Sequence, residues 1–399
     1  MTWEITRALD GDAATRCVGW HAIIAAMLLR ALCFLAGLLA VTGLSGCGSG
    51  VDAAARQTAT NAQGAPRADG KFQNNYLDFQ PKGLATLLKW RFEAVRDGLP
   101  KPPQQSTPRV AADLSFIQAN ARAGAAMQPA VTWIGHATTL AQLGGINVLF
   151  DPIFSERASP LSFVGPRRAS APGLLASELP RIDVVLVSHN HYDHLDDDSV
   201  RALAAQPGGS PLFVVPLGLK AWLGKRQITN AVELDWWQSV RVGNVDIVLT
   251  PAQHWSSRSL GDRMETLWGS FALFAPDFQL FYTGDTGYSK DFADIHARFA
   301  GRHGAGRGFD LALIAVGAYE PRWFMREQHI NPAEAVQIHL DLMARTSIGT
   351  HWGTFELTDE SLDEPPRALA RARRERGIAD DAFSVMALGE TRRFPRRLP

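Results

Sequence analysis

Cysteine is nearly missing from this 399-residue chain: Cys17, Cys33 and Cys47 are the only three, and none follows position 47. A disulfide framework and thiolate metal ligands are therefore excluded from everything downstream, so a metal bound there takes nitrogen and oxygen. An excess of charge of either sign is missing too, since forty Lys and Arg balance forty Asp and Glu. That excludes the global basic field by which nucleic acid is recognised, and no nucleic-acid partner is expected. No internal repeat at a fixed period marks a solenoid. What remains is length and apolar content enough for one large domain or two ordinary ones with a real core.

The long apolar run, MLLRALCFLAGLLAVTGLSGC from Met27 to Cys47, is short for a membrane span. With one early arginine and the ending Leu44-Ser45-Gly46-Cys47, it resembles a bacterial lipoprotein signal, in which Cys47 is lipidated and becomes the first mature residue. Residues 1–26 place Glu4, Asp10 and Asp12 where such a signal has a compact basic region, so translation is expected to begin at Met27. Residues 48–70 are small, polar and aperiodic, the composition of a flexible tether. Gly48, standing where an aspartate would retain the chain, favours outer-membrane sorting by the same resemblance. The expected location is the bacterial cell envelope, lipid-anchored and facing the periplasm.

Residues 71–128 read as a helical, proline-punctuated N-terminal extension. In GLATLLKWRFEAV, Gly83 to Val95, Leu84, Leu87, Leu88, Phe92 and Val95 recur at helical spacing before the stopper LPKPPQQSTP. The extension carries no recognisable chemistry. From residue 129 to 393 the pattern changes to short apolar strands, each followed by a polar cluster: AVTWIGHAT, GINVLFDPIF, DVVLVSHNH, PLFVVP, VDIVLTPAQHW, SFALFAP, QLFYTGDTG, DLALIAVGAYE and SIGTHWGTF. Helical stretches are expected over 199–205 and 331–344, the second opening with Asn331 as N-cap, Pro332 at the first helical position and Glu334 completing a capping box. The fold class is α/β, its strands covered by helices.

The polar clusters share a place, the C-terminal end of a strand, where loops from several strands converge. The densest is SHNHYDHLDD, residues 188–197. His189 and His191, two apart on extended chain, project to one side and can share one ion. Asp193 and His194 follow once the chain turns, and suit a second. A catalytic dinuclear site takes about three protein ligands per metal. His254 completes the first set, His351 the second, and Asp285 in TGDTG is placed to bridge. Such crowding without cations would repel and desolvate itself. His21, His296, His303 and His339, by contrast, read as ordinary structural histidines.

Together GHAT, DPIFSERASP, VGPRR, SHNHYDHLD, ELDWW, PAQHW, LWGS, TGDTGY, GAYEPRWFM, QHINPAEAV and HWGTF, in this order from about Phe72 to Gly389, resemble the metallo-β-lactamase superfamily in its N-acyl-phosphatidylethanolamine-hydrolysing phospholipase D branch. The resemblance implies an αββα sandwich carrying two zinc ions, one on His189, His191 and His254, the other on Asp193, His194 and His351, with Asp285 between them. Iron or manganese also accepts such ligands. It further implies hydrolysis of a phosphodiester to phosphatidic acid and N-acylethanolamine, with a phospholipid as substrate; the membrane surface is expected as partner through lipidated Cys47. Fold and metals do not fix the substrate, so a soluble phosphodiester or a lactone is the alternative, and a lipid-binding envelope lipoprotein without catalysis the alternative of another class.

Asp151 can accept from a ligand histidine or form an Asx-turn before Pro152. Gln328 and His329, before a helix N-terminus, can contact phosphate or protonate a leaving group, or pack a loop; His136 can support the ligands. Tyr192, Trp255, Trp268, Tyr288, Tyr319, Trp323, Phe324 and Trp352 flank the ligands, either walling an acyl groove or filling core. ARARRERG, 370–377, is a basic run that either faces anionic lipid or forms a solvated helix face, and the solvated face is the expectation. If the anchor is real, Cys47→Ser releases the protein from the membrane fraction; unchanged fractionation removes lipidation from the picture.

Overall fold

A computed structural model describes residues 56–58 as backbone and residues 64–80, 82–259, 261–304 and 306–397 in full. The apolar run ending at Cys47, with the start at Met1 or Met27 and most of the tether, lies outside the described residues.

Two sheets make the centre of the molecule. In one, Arg56–Thr58, Ser239–Val242, Val245–Thr250, Ser270–Ala275 and Phe278–Tyr282 pair antiparallel in that order, and Leu311–Ala315, Thr346–Thr350 and Phe383–Val385 continue it in parallel. In the other, Thr391–Arg393, Ala130–Gly135, Thr138–Leu143 and Ile146–Phe150 are antiparallel. Val184–Leu186, Leu212–Pro216 and Ala231–Leu234 then extend it in parallel. The eight α-helices among the described residues are α1 (Leu84–Asp97), α2 (Leu114–Ala121), α3 (Asp197–Ala204), α4 (Leu219–Gly224), α5 (Asp291–His303), α6 (Arg322–Met325), α7 (Pro332–Asp341) and α8 (Glu364–Glu375).

The layering follows from strand parity, because alternate side chains leave opposite faces of a strand. Val148, Phe150, Val184 and Leu186 enter the large core that also holds Ile247, Leu249, Phe271, Leu280 and Leu311 of the facing sheet. Leu149, Val185 and Val187, one residue out of phase, join Val200 and Leu203 of α3 and Leu219 and Leu223 of α4. Phe292, Ile295 and Phe299 of α5 and Ala335, Val336 and Ile338 of α7 pack with the other sheet. The result is an αββα sandwich, buried on both faces of each sheet, which is why its strands read as continuous apolar runs.

All nine apolar runs form strands. Thr138–Leu143 was not expected as one, because the polar Thr138, Thr139 and Gln142 mask its pattern; all six of its residues are buried. The capping box at Asn331 forms as expected: its side chain accepts from the Glu334 amide at 2.9 Å and the Glu334 carboxylate accepts from the Asn331 amide at 2.9 Å. The ARARRERG run is only partly a solvated face. Leu369 and Ala372 enter the core, and buried Arg373 donates to the Asp380 carbonyl at 3.0 Å. The extension is likewise built into the sandwich through Phe72 and Phe79 in the large core and Ile117 under the helices. Removing the α7 cap by Asn331→Ala should lower unfolding free energy by about 1 kcal/mol in urea titration, with an unchanged far-ultraviolet spectrum.

Candidate metal centre

Six strands end in the residues that meet at one edge of the sandwich. His136 follows Ala130–Gly135, Asp151 follows Ile146–Phe150, and the 188–197 loop follows Val184–Leu186. His254, Asp285 and His351 follow Val245–Thr250, Phe278–Tyr282 and Thr346–Thr350. Three of these residues hold their backbone in the left-handed region: His136 at φ 52°, Asp151 at 38° and His351 at 60°. Bulky side chains avoid that region, and His136 takes the first place of a two-residue hairpin turn where Gly or Asn is usual. Local strain is accepted here to aim side chains at a common point.

The side-chain nitrogens and oxygens of the candidate residues gather in two groups. His191 Nδ1 lies 2.8 Å from His189 Nε2 and 3.2 Å from His254 Nε2. His194 Nε2 and His351 Nε2 are 3.1 Å apart, and Asp193 Oδ2 lies 3.4 and 3.3 Å from them. Asp285 stands between. One oxygen is 3.1 Å from His194 Nε2, 3.8 Å from His189 Nε2 and 3.9 Å from His254 Nε2; the other is 3.1 Å from His351 Nε2. Nitrogens bound to one zinc at about 2.0–2.1 Å in a tetrahedron sit roughly 3.3 Å apart, so each convergence has the dimensions of a ligand set. His191 Nε2 and Asp285 Oδ1 are buried without a hydrogen-bond partner. The donors, all nitrogen and oxygen, fit a borderline metal such as zinc.

Outer contacts fix which nitrogen faces the centre. His194 Nδ1 donates to Asp151 Oδ2 at 2.7 Å, so its Nε2 lone pair points inward. His189 Nδ1 donates to Ser188 Oγ at 2.9 Å, and that hydroxyl donates to Asp151 at 2.6 Å. His254 Nδ1 donates to the Gln328 carbonyl at 2.9 Å. Asp151 is thus an acceptor from a ligand histidine, and Tyr282 OH at 2.5 Å and the Ser188 amide at 2.7 Å complete its shell. Burial and Asp151 hold the Tyr282 phenol protonated, well above its usual pKa.

Charge divides the cluster. Burial and neighbouring imidazoles push His189 and His191 well below their usual pKa, and burial takes His254 down to about 4, leaving neutral lone-pair donors. Burial also opposes charge on His194 and His351, but Asp285 and Asp193 outweigh it, raising His194 well above its usual value and His351 to about 9. Asp193 and Asp285 would rise by burial and are instead held low, chiefly by His194. In the second set, protons stand where a cation would.

Several partners were not legible. Asn74, in the extension that reads as carrying no chemistry, grips the His254 backbone: its Nδ2 donates to the His254 carbonyl at 3.0 Å and its Oδ1 accepts from the His254 amide at 3.0 Å. Half-buried Arg258 ties the 188–197 loop by donating to the carbonyls of Asn190 at 2.8 Å and Leu195 at 2.7 Å. His136 Nε2 donates to Asp193 Oδ2 at 2.9 Å, and its carbonyl accepts from the His351 amide at 2.9 Å. It therefore lies close enough to join the second set. His329 Nδ1 sits 3.9 Å from Asp285 and is buried without a partner. Gln328 turns its amide toward Met325 Sδ and contributes its carbonyl to His254.

Of the flanking aromatics, Trp268, Tyr319, Phe324 and Trp352 are core. Trp255 packs edge-on against His191 with ring centres 4.7 Å apart and stacks on Phe79. Tyr192 lies under Arg258 and donates to its carbonyl at 2.9 Å. Tyr288 and Trp323 are exposed. His303 and His339 make local bonds to Gln279 and Ser347, as structural histidines do.

Comparison with known proteins identifies the family. A family profile described as Beta-lactamase superfamily domain matches residues 146–352. An uncharacterised protein of Mycobacterium tuberculosis is 39% identical over 328 residues, 81% of this chain and 83% of that one. The N-acyl-phosphatidylethanolamine-hydrolyzing phospholipase D 1 of Caenorhabditis elegans is 41% identical over 272 residues, 65% of this chain and 74% of the relative. Among solved structures, the isothiocyanate hydrolase from Delia radicum gut bacteria superposes with a TM-score of 0.52 at 21% identity, over 67% of this chain and 99% of that one; this likeness concerns the fold alone.

Asp151→Asn keeps the shape of the outer shell but cannot accept as strongly from His194. Zinc affinity measured by competition with a chelator should fall roughly 10–100-fold; unchanged affinity would mean that Asp151 only shapes the loop.

Proposed function

The chain belongs to the metallo-β-lactamase superfamily and is a metal-dependent hydrolase, and on that premise we propose that it hydrolyses a phosphodiester in the manner of a phospholipase D. Its substrate on this reading is an N-acyl-phosphatidylethanolamine-like lipid, and its products are a phosphatidic acid and an N-acylethanolamine. The observation that carries the reading is the meeting of His189, His191 and His254 with Asp193, His194 and His351 around Asp285, in a chain about 40% identical to phospholipases of that description.

Two zinc ions held by these residues would supply Lewis acidity for the phosphoryl oxygens and a water acidic enough to attack at neutral pH. The chain's own groups do the rest. Asp285, touching both sets, keeps them in register. His329, which burial lowers to about 3, is neutral, and its unpartnered Nδ1 can hydrogen-bond a phosphoryl oxygen beside Asp285. Gln328 serves through its carbonyl by orienting His254. Trp255 and Phe79 offer an apolar wall at His191. We also propose that Cys47 is lipidated in a bacterial envelope, which would hold the site next to lipid, with residues 129–393 as the hydrolase domain.

Purified protein assayed for metal and for N-acylethanolamine release from vesicles tests the reading. Two metals with lipid turnover is the expected result. Hydrolysis restricted to soluble diesters or lactones overturns the substrate, and one metal without turnover favours a binding lipoprotein. Asp285→Asn should fold normally yet lose roughly 10²-fold or more in turnover; wild-type rates would remove Asp285 from the centre.

A further inference from the structure

Helix α1 has two apolar faces. One is used: Leu87 and buried Trp90 pack on Phe324 and Met325 of α6, and Trp90 Nε1 donates to Asp359 at 2.9 Å. The other is left uncovered among the described residues. Leu84, Leu88, Phe92 and Val95 are exposed by 63%, 51%, 62% and 47%. At 100° per residue they project within an arc of about 80°, and Lys89, which borders that arc, lies over the ring of Trp323 of α6, 44% exposed, at 4.9 Å. Single exposed apolar residues need no explanation, but a stripe along a whole helix marks an interaction surface.

Its charge indicates what covers it. Between residues 84 and 101 lie four cations, Lys89, Arg91, Arg96 and Lys101, against Glu93 and Asp97, a net +2 (4 − 2). Lys89 and Arg96 border one side of the stripe and Arg91 the other, the pattern of a helix lying in a bilayer interface with its cations at anionic headgroups. A second copy of the chain would bring this net positive face against itself. Position agrees: α6, which carries α1, runs directly into Gln328 and His329, and the His329 ring lies 5.2 Å from that of His254. Helix α1 is thus joined to the metal centre through α6.

We propose that the exposed face of α1, with Trp323, docks the protein on an anionic phospholipid bilayer and sets the metal centre toward the lipid surface. This stands on the helix alone, independently of the reaction assigned to the site. The test uses the full chain with its three cysteines changed to serine, which removes any lipid anchor. An environment-sensitive fluorophore is attached at Leu88→Cys, and at Glu375→Cys, an exposed position of α8, as control. With phosphatidylglycerol-containing vesicles the Leu88 label should move to an apolar-type emission, at about tenfold less lipid than with phosphatidylcholine alone, while the control stays water-like. Adding Leu84→Ser and Phe92→Ser should abolish the shift without changing metal content. A label that stays water-like on vesicles overturns the proposal. So does one already shielded without lipid: concentration-independent shielding would mean that the chain's own N-terminal segment covers the face, and concentration-dependent shielding that a second copy does.

Discussion

Seven imidazoles and three carboxylates brought together at one buried edge must be balanced by cations, and much of the surrounding structure serves to hold them there. Bringing charges out of water costs several kcal/mol per ion unless each is paired and hydrogen-bonded. The protein meets that demand in two ways. His189, His191 and His254 stay neutral and present lone pairs, whereas His194 and His351 share charge with Asp193 and Asp285. In the second set the protons on His194 and His351 offset the carboxylates, so a metal ion held there would displace them.

The scaffold transmits this constraint outward. Loops at strand ends would ordinarily be the most mobile part of such a sandwich, yet each ligand is held by an element distant in sequence. Arg258 fastens the densest loop, Asn74 brackets His254, and Asp151 gathers Ser188, His194 and Tyr282 across the two sheets. His136 holds Asp193 through its ring and His351 through its carbonyl. Its left-handed backbone in a tight hairpin has a reason in that double contact.

The convergence of His189, His191, Asp193 and His194 was legible because it is written in short-range geometry. Extended chain puts His189 and His191 on one side, the turn after them sets Asp193 and His194 apart, and His254, Asp285 and His351 each close their own apolar run. The nine runs were legible for the same reason, since a strand buried on both faces is uninterrupted. What escaped was either polar within a strand, as in Thr138–Leu143, or dependent on distant pairing. Nothing local marks Arg258, whose cation reaches two carbonyls more than sixty residues away, or Asn74, whose partner is 180 residues on. Tyr282 looks like any core aromatic until the facing sheet brings Asp151 to its hydroxyl. The flanking aromatics illustrate the limit: Trp255 and Trp268 are similar in sequence context, but one borders His191 and the other fills core.

That two separable cation sites share Asp285 is the claim on which the rest depends, and calorimetric zinc titration of the metal-free protein addresses it directly. The wild-type chain should take up two ions. His254→Ala should lose one of them and His351→Ala the other, each retaining a single binding step. One ion in the wild type, or a stoichiometry that neither substitution alters, would contradict the arrangement.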